Sequence, residues 1–262
     1  MNALPLLRPD WPAPPGVGAA MSLRGGGVSS GEGGRYASLN LGVAVGDEPA
    51  AVAENRARFT AALGAQPVWL RQVHGIRVVR LHAGGDITPD EPADAAWSSD
   101  TGVACTVQVA DCLPVLFARR DGSAVAAAHA GWRGLAAGVL EATVQALCSG
   151  AGGGRSAAPA DVVAWLGPCI GPREFEVGAD VLQAFGADPA SPDAQRFIYR
   201  ERPDGAARWR AHLPRLARER LAVAGVKHIT EAGACTADDR SAFFSFRRDG
   251  ITGRMAAAVW RR

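Results

Sequence analysis

The stretch Val107-Gln-Val-Ala-Asp-Cys-Leu-Pro-Val-Leu-Phe-Ala-Arg-Arg-Asp-Gly-Ser-Ala-Val-Ala-Ala-Ala-His-Ala-Gly-Trp-Arg-Gly134 decides how the chain is read. Its apolar runs, broken near Pro114 and at Asp121-Gly122, predict strand, break, strand, turn, strand and helix start. Cys112 stands where the first run ends. Pro114 after it cannot donate a ladder hydrogen bond, so it predicts a sheet edge or boundary. His129 closes the last run shortly before Gly131. Upstream, His74 in Trp69-Leu-Arg-Gln-Val-His-Gly75 has the same setting. Two imidazoles and one thiolate at strand-to-loop transitions form a candidate open zinc site with a fourth position for water. Two other readings stay open: a Cys112–His129 nucleophile and base dyad, and a small buried cysteine beside satisfied core histidines. His82, His212 and His228 lack the strand-end setting and read as ordinary core or surface residues.

Next to this group, Ala130-Gly-Trp-Arg-Gly134 lies between strand and helix. Free N–H groups at the helix start could face a phosphate or ribose. Arg133 could add charge-assisted bonds, and Trp132 could stack on a base or simply join the core. The competing reading of Arg133 ties it to a nearby carboxylate. Asp111 is a candidate acid/base, but in a regular strand it points away from Cys112, so the role requires a bend in the chain.

The helix after His129 is expected over Arg133–Leu147, with Leu135, Val139, Leu140, Val144 and Leu147 at helical spacing. An earlier helix is expected from Asp47, which could cap it, to Leu63, closed by Gly64. Further helices are expected at Gly178–Phe185 and Ala211–Ala224. Strands are expected at Val17–Arg24, Val103–Ala110, Val162–Leu166, Val226–Thr230 and Met255–Trp260. Two more, Pro67–Gly75 and Ile76–Leu81, are read as joined at His74-Gly75. Asp94–Ser99 is ambiguous and Ala83–Pro92 is loop. Gly25–Gly34 is a flexible loop or a lid, and Ser149–Pro159 is a glycine-serine insertion. Strands and helices alternate irregularly, which predicts mixed sheets with helices outside rather than a regular parallel barrel.

The chain has 262 residues, 48% hydrophobic and 21% charged, which suits an ordered globular core. A net charge of +2 gives no footprint for nucleic acid or an anionic membrane. Five cysteines, at 105, 112, 148, 169 and 235, include no C-x-x-C pair, so a reducing, cytoplasmic setting is expected. Two prolines interrupt the apolar amino terminus, which predicts no signal peptide, and no apolar run is long enough for a membrane span.

Six motifs in order carry a resemblance: Ser38-Leu-Asn-Leu-Gly42, Gln72-Val-His-Gly75, Ala110-Asp-Cys-Leu-Pro114, His129-Ala-Gly-Trp-Arg-Gly134, Gly167-Pro-Cys-Ile-Gly-Pro172 and Phe244-Ser-Phe-Arg-Arg-Asp-Gly250. Over essentially the whole chain the sequence resembles the multicopper polyphenol oxidase, or laccase-domain, family. That family includes purine nucleoside phosphorylases with adenosine deaminase and methylthioadenosine phosphorylase activity, and peptidoglycan-editing factors. The resemblance implies an α+β fold, a layered α/β/β/α single domain over residues 1–262 with mixed sheets. It implies Zn2+, or Cu2+ in the same place, on His74, Cys112 and His129. It further implies a catalytic set of those three with Asp111, and substrate contacts from Asn40, Trp132, Arg133, Arg247 and Arg248. Purine nucleoside and phosphate are the expected small-molecule partners. Alternatives are editing of a peptidoglycan precursor, weak copper-dependent phenol oxidation, and a non-enzymatic metal-binding role. A laccase copper cluster needs several His-x-His pairs, and five histidines without such a pair exclude it.

Overall fold

Residues Leu113–Arg119 and Val125–Ala130 are buried at every position, so the strands they form need cover on both faces. The computed structural model, which describes residues 4–85, 91–149 and 156–262, shows how that cover is built. In chain order the strands are β1 (Leu6–Leu7), β2 (Val17–Ser22), β3 (Gln66–Trp69), β4 (Val78–Arg80), β5 (Ala95–Ser98), β6 (Val103–Val109), β7 (Leu113–Arg119), β8 (Val125–Ala130), β9 (Val162–Leu166), β10 (Glu176–Val177), β11 (Phe197–Tyr199), β12 (Trp209–Ala211), β13 (His228–Glu231) and β14 (Met255–Arg261). The helices are α1 (Pro49–Leu63), α2 (Trp132–Ala137), α3 (Val139–Cys148), α4 (Ala179–Ala184), α5 (Leu213–Val223) and α6 (Phe246–Asp249).

Among the described residues, one mixed sheet has the order β1-β2-β14-β6-β3 and another β13-β9-β7-β8-β5-β4; β10, β12 and β11 form a small third sheet. Val107, Val109 and Met255 of the first sheet meet Leu116 and Ala127 of the second in a core between the two. The outer face of the first sheet packs on α1 through Phe59, Leu63 and Trp69 with Ala256 and Ala258. The outer face of the second packs Val115 and Phe117 against Leu140, Val144 and Leu147 of α3 and Leu216 and Leu221 of α5. The result is the α/β/β/α layering with mixed sheets that the resemblance implied.

The differences from the sequence expectations lie around the strand ends. β3 and β4 are not joined at His74-Gly75 but belong to different sheets, and the intervening Val73 and Ile76 are 54% and 46% exposed. The helix after His129 is broken at Gly138, whose φ of 105° separates α2 from α3. Pro114 lies in an internal strand: β7 pairs with both β8 and β9. It is tolerated within the first two residues, where its carbonyl still accepts from Gly167 N at 2.9 Å. Glu48, not Asp47, is the N-cap of α1. The Gly25–Gly34 loop is pinned, with Gly27 N on Ser38 Oγ, Val28 N on Asn55 Oδ1 and Ser29 Oγ on Asp47 Oδ2. Asp94–Ser99 resolves largely into β5. Most of the Ser149–Pro159 insertion and half of the Ala83–Pro92 loop lie outside the described residues.

Candidate metal centre

The chain passes from β6 in one sheet to β7 in the other at Ala110–Cys112, and the turn requires a positive φ of 95° at Asp111. This bend delivers Cys112 to the seam between the sheets. Along β8, Val125 and Ala127 belong to the inter-sheet core whereas Ala126, Ala128 and Ala130 face the helices. Strand alternation therefore turns His129 into the seam as well. His74 arrives from the loop after β3, itself at a φ of 62°. The ligand atoms of His74, Cys112 and His129 all lie within 4.8 Å of one another. His74 is exposed, Cys112 half-buried and His129 buried, so the group opens to solvent on one side.

One buried residue that sequence reasoning missed organises both histidines. Asp94 directly precedes β5, whose register with β8 (Ala95 opposite Ala128) places it beside His129. Its Oδ1 accepts from His129 Nδ1 at 2.8 Å and from His74 N at 2.8 Å. Its Oδ2 accepts from Gly75 N at 2.7 Å and Val73 N at 3.1 Å. With Nδ1–H held by the carboxylate, His129 presents Nε2 to the seam, the arrangement that orients metal-binding imidazoles. Burial pushes the Asp94 carboxyl up, but the bonds from His129, Gly75 and Val73 outweigh it and leave it below its ordinary value. Nothing in the local sequence marks Asp94, which stands 20 residues from His74 and 35 from His129.

The electrostatics of the metal-free group pair a Cys112 thiolate with a charged His129, whose Nε2 proton a bound metal would displace. Burial opposes ionisation of Cys112, yet the charge and hydrogen bond of His129, followed by those of His74, bring its thiol down to about 6. Burial likewise opposes charge on His129, but the Cys112 thiolate and Asp94 outweigh it and raise the imidazole to about 9. The donor set fits a metal. Bonds of about 2.0–2.3 Å to one tetrahedral ion place nitrogen and sulfur ligands about 3.6 Å apart. Cys112 Sγ and His74 Nε2 are 3.6 Å apart. Room for them depends on Gly131, where a Cβ would come within 2.6 Å of His74 Cδ2 and 3.0 Å of Cys112 Sγ.

The other sequence candidates take varied places. Both Asp111 oxygens are engaged, accepting from Thr236 Oγ1 and from Arg247 N at 2.6 Å each. The required bend is present, but the carboxylate braces the turn beneath Cys112 instead of standing free. The start of α2 is covered by the His74 loop, since a Cβ on Gly134 would meet Gly75 O at 2.9 Å. Trp132 is half-buried against the helix-side core. Arg133 is exposed and lies over the Trp132 ring at 4.3 Å, paired with no described carboxylate. Asn40 is fully buried: its amide donates to Gly42 O and Asp47 Oδ2, and its oxygen accepts from Gly42 N and Arg254 N. That uses its whole bonding capacity, so its influence on the site passes through Arg254. Arg248 is a clamp on the carbonyls of Thr236, Ala237 and Phe243 and on Asp249. Arg247 reaches the carbonyls of Glu174 and Glu176 over the Phe175 ring.

An open group of two imidazoles and a thiolate, set between two sheets and oriented by a buried carboxylate, could hold a metal ion with a donor set of the kind that catalytic centres use. A family model described as multi-copper polyphenol oxidoreductase laccase matches residues 18–262, and the chain belongs to that family. It is 49% identical over 261 residues to a purine nucleoside phosphorylase of Pseudomonas aeruginosa, covering 99% of each chain. It is 47% identical over 257 residues to a purine nucleoside phosphorylase of Escherichia coli, covering 97% of this chain and 98% of the relative. The crystal structure of a Neisseria meningitidis protein, 44% identical, superposes with a TM-score of 0.85 over 98% of each chain. That of YlmD from Geobacillus stearothermophilus, 31% identical, gives 0.84 over 100% of this chain and 98% of that one. No helix among the described residues is long and apolar enough to cross a membrane.

Proposed function

We propose that residues 1–262 act as one zinc-dependent catalytic domain that cleaves purine nucleosides with phosphate and deaminates adenosine. The observation that carries this reading is the convergence of His74, Cys112 and His129 around an open position. The names of the relatives direct it to purine nucleosides and phosphate, and adenosine, inosine, guanosine and methylthioadenosine are the substrates this reading assigns. A bound zinc ion would supply Lewis-acid polarisation of water or substrate. Asp94 holds the proton on His129 Nδ1, so that Nε2 is the nitrogen that would give up its proton to a metal. Cys112 contributes a thiolate at neutral pH, in keeping with a reducing cytoplasm.

In phosphorolysis a phosphate oxygen bonds to C1′ as the C1′–N9 bond breaks, and the electron pair leaves with the purine, which takes up a proton. In deamination water adds at C6 and ammonia leaves. Cu2+ would accept the same donors, but the remaining histidines cannot extend the site into a copper cluster. His82 stands beside Asp100, His212 caps α5 and His228 lies in β13.

The test is product analysis of metal-quantified protein with adenosine. Adenine and ribose 1-phosphate should form only when phosphate is added, and inosine with or without it. A zinc-replete protein that forms none of these products refutes the reading.

A further inference from the structure

Arg254 is a cation beside the metal centre with no carboxylate partner among the described residues. Met255 pairs with Val109 across β14 and β6. Continuing that antiparallel register by one residue sets Arg254 opposite Ala110, at the bend that carries Asp111 and Cys112. Its backbone is fixed on both sides: its N–H donates to Asn40 Oδ1 at 2.8 Å, and its carbonyl accepts from Leu41 N at 3.0 Å. Its side chain lies across Gly42, where a Cβ would come within 2.7 Å of Arg254 Cγ. Nη1 is anchored on the carbonyls of Thr252 and Gly253, at 2.9 and 3.2 Å. Nε and Nη2 bond to no described residue, and neither is a buried orphan.

Asp111, at the bend that Arg254 faces, forms no ion pair with it, and both of its oxygens accept from other groups. Burial lowers the Arg254 pKa, while Cys112, then Asp111 and Tyr36, pull it upward, which places the guanidinium within the electrostatic reach of the metal-binding sulfur. A half-buried guanidinium with two free N–H directions and a rigid base is the usual form of an oxyanion receptor.

We propose that Arg254 is the residue that binds inorganic phosphate beside the His74–Cys112–His129 centre, as the phosphate co-substrate site. The inference rests on the phosphorolysis reading and adds to it the anion's location. It assigns a structural reason to Asn40 and Gly42: one fixes the arginine's backbone and the other clears the path of its side chain. It also separates phosphate from the α2 start, which the His74 loop covers.

The experiment measures inorganic phosphate binding to zinc-loaded protein by calorimetry, together with KM for phosphate and for adenosine. Arg254→Gln should weaken phosphate binding and raise its KM about tenfold or more, the range for losing a charged hydrogen-bond pair. The adenosine KM and the zinc content should not change. In the unsubstituted protein, phosphate should also shield Arg254 from phenylglyoxal, mapped by mass spectrometry, a readout that does not depend on the variant folding. The proposal is overturned if phosphate binds while Arg254 stays fully reactive, or if Arg254→Gln binds phosphate like the parent. A parallel rise of both KM values overturns it too, as does a phosphate effect confined to Arg133→Ala. Protection by adenosine monophosphate without binding of inorganic phosphate likewise overturns it. Phosphate bound through Arg254 with no ribose 1-phosphate formed would instead refute the phosphorolysis reading and leave the anion site standing.

Discussion

Replacing Asp94 by asparagine tests whether one carboxylate sets up the metal centre. Each of its oxygens accepts two bonds: Oδ1 from His129 Nδ1 and His74 N, Oδ2 from Gly75 N and Val73 N. Asparagine has one acceptor oxygen, so in either orientation its NH2 group faces two donors. If the oxygen stays with the backbone pair, the NH2 confronts His129, which must give up its Nδ1 proton and carry it on Nε2 instead. That is the nitrogen a metal needs free. If the oxygen stays with His129, the 73–75 loop loses its anchor and His74 moves. Two bonds to a charged acceptor at about 1.5–3 kcal/mol each are lost, about 3–6 kcal/mol in total. A fall in metal affinity of about 10–100-fold takes up about 1.4–2.7 kcal/mol of this. The remainder should emerge as a lower melting temperature of the metal-free protein. Zinc competition against a chromophoric chelator, with thermal melting of the apo form, reads both parts. Affinity within twofold of the parent at unchanged stability would refute the argument.

Three further outcomes follow from the same geometry. Gly131→Ala should lower zinc affinity at least about tenfold with little change in apo stability, because the exposed His74 ring can swing away from the new methyl group; unchanged affinity in the same chelator competition counts against the packing. His129→Ala should abolish metal binding and cost the fold about 1–3 kcal/mol through the lost Asp94 bond, measured by urea unfolding; retained zinc would make it a structural histidine. In the apo protein Cys112 should be alkylated faster than buried Cys105 and Cys169 at pH 7, since its thiolate is present above about 6 whereas burial raises the other two. Labelling should fall as pH drops through about 6, and zinc should block it; equal labelling of all three in mapped peptides contradicts the charge pairing.

Much of this centre could be read from the chain because its ligands end apolar runs. Cys112 follows a strand buried at all but one residue, His129 is the penultimate residue of one buried throughout, and a polar side chain in such a position has only the strand mouth to occupy. His74 was reached for a partly mistaken reason. Val73 and Ile76 suggested two strands meeting directly at His74-Gly75, but both are exposed and the chain changes sheet between β3 and β4. Local β-propensity cannot report which sheet a strand joins. Asp94 and Arg254 escaped notice for a related reason. Each acts through register with a distant strand, Asp94 through β5 against β8 and Arg254 through β14 against β6, and a pairing of that range leaves no local trace. Pro114 marked a strand boundary, as the second residue of β7, and not a sheet edge, because the rule against proline in central strands relaxes at their first residues.

The three ligands come from three places that only the finished fold brings together. His74 follows a strand of the five-stranded sheet, Cys112 sits on the crossing between the sheets, and His129 ends a strand of the six-stranded sheet. An ion bound by all three would therefore fasten one sheet to the other at the open end of their shared core. The unfolded chain, with these residues 38 and 17 positions apart in sequence (112 − 74 and 129 − 112), offers no comparable site, so binding adds directly to folding free energy. At a free zinc concentration one hundred times the dissociation constant the gain is about 2.7 kcal/mol. For a chain of this size that corresponds to roughly 5–11 °C in melting temperature. Chelation should produce that fall, and the added hydrogen exchange should concentrate at residues 73–75 and 111–113, where backbone N–H groups belong to the site rather than to a strand centre. A protein that loses its zinc with no shift in melting and no local increase in exchange would show that the seam is closed by packing alone, and that the ion contributes nothing to holding the two sheets together.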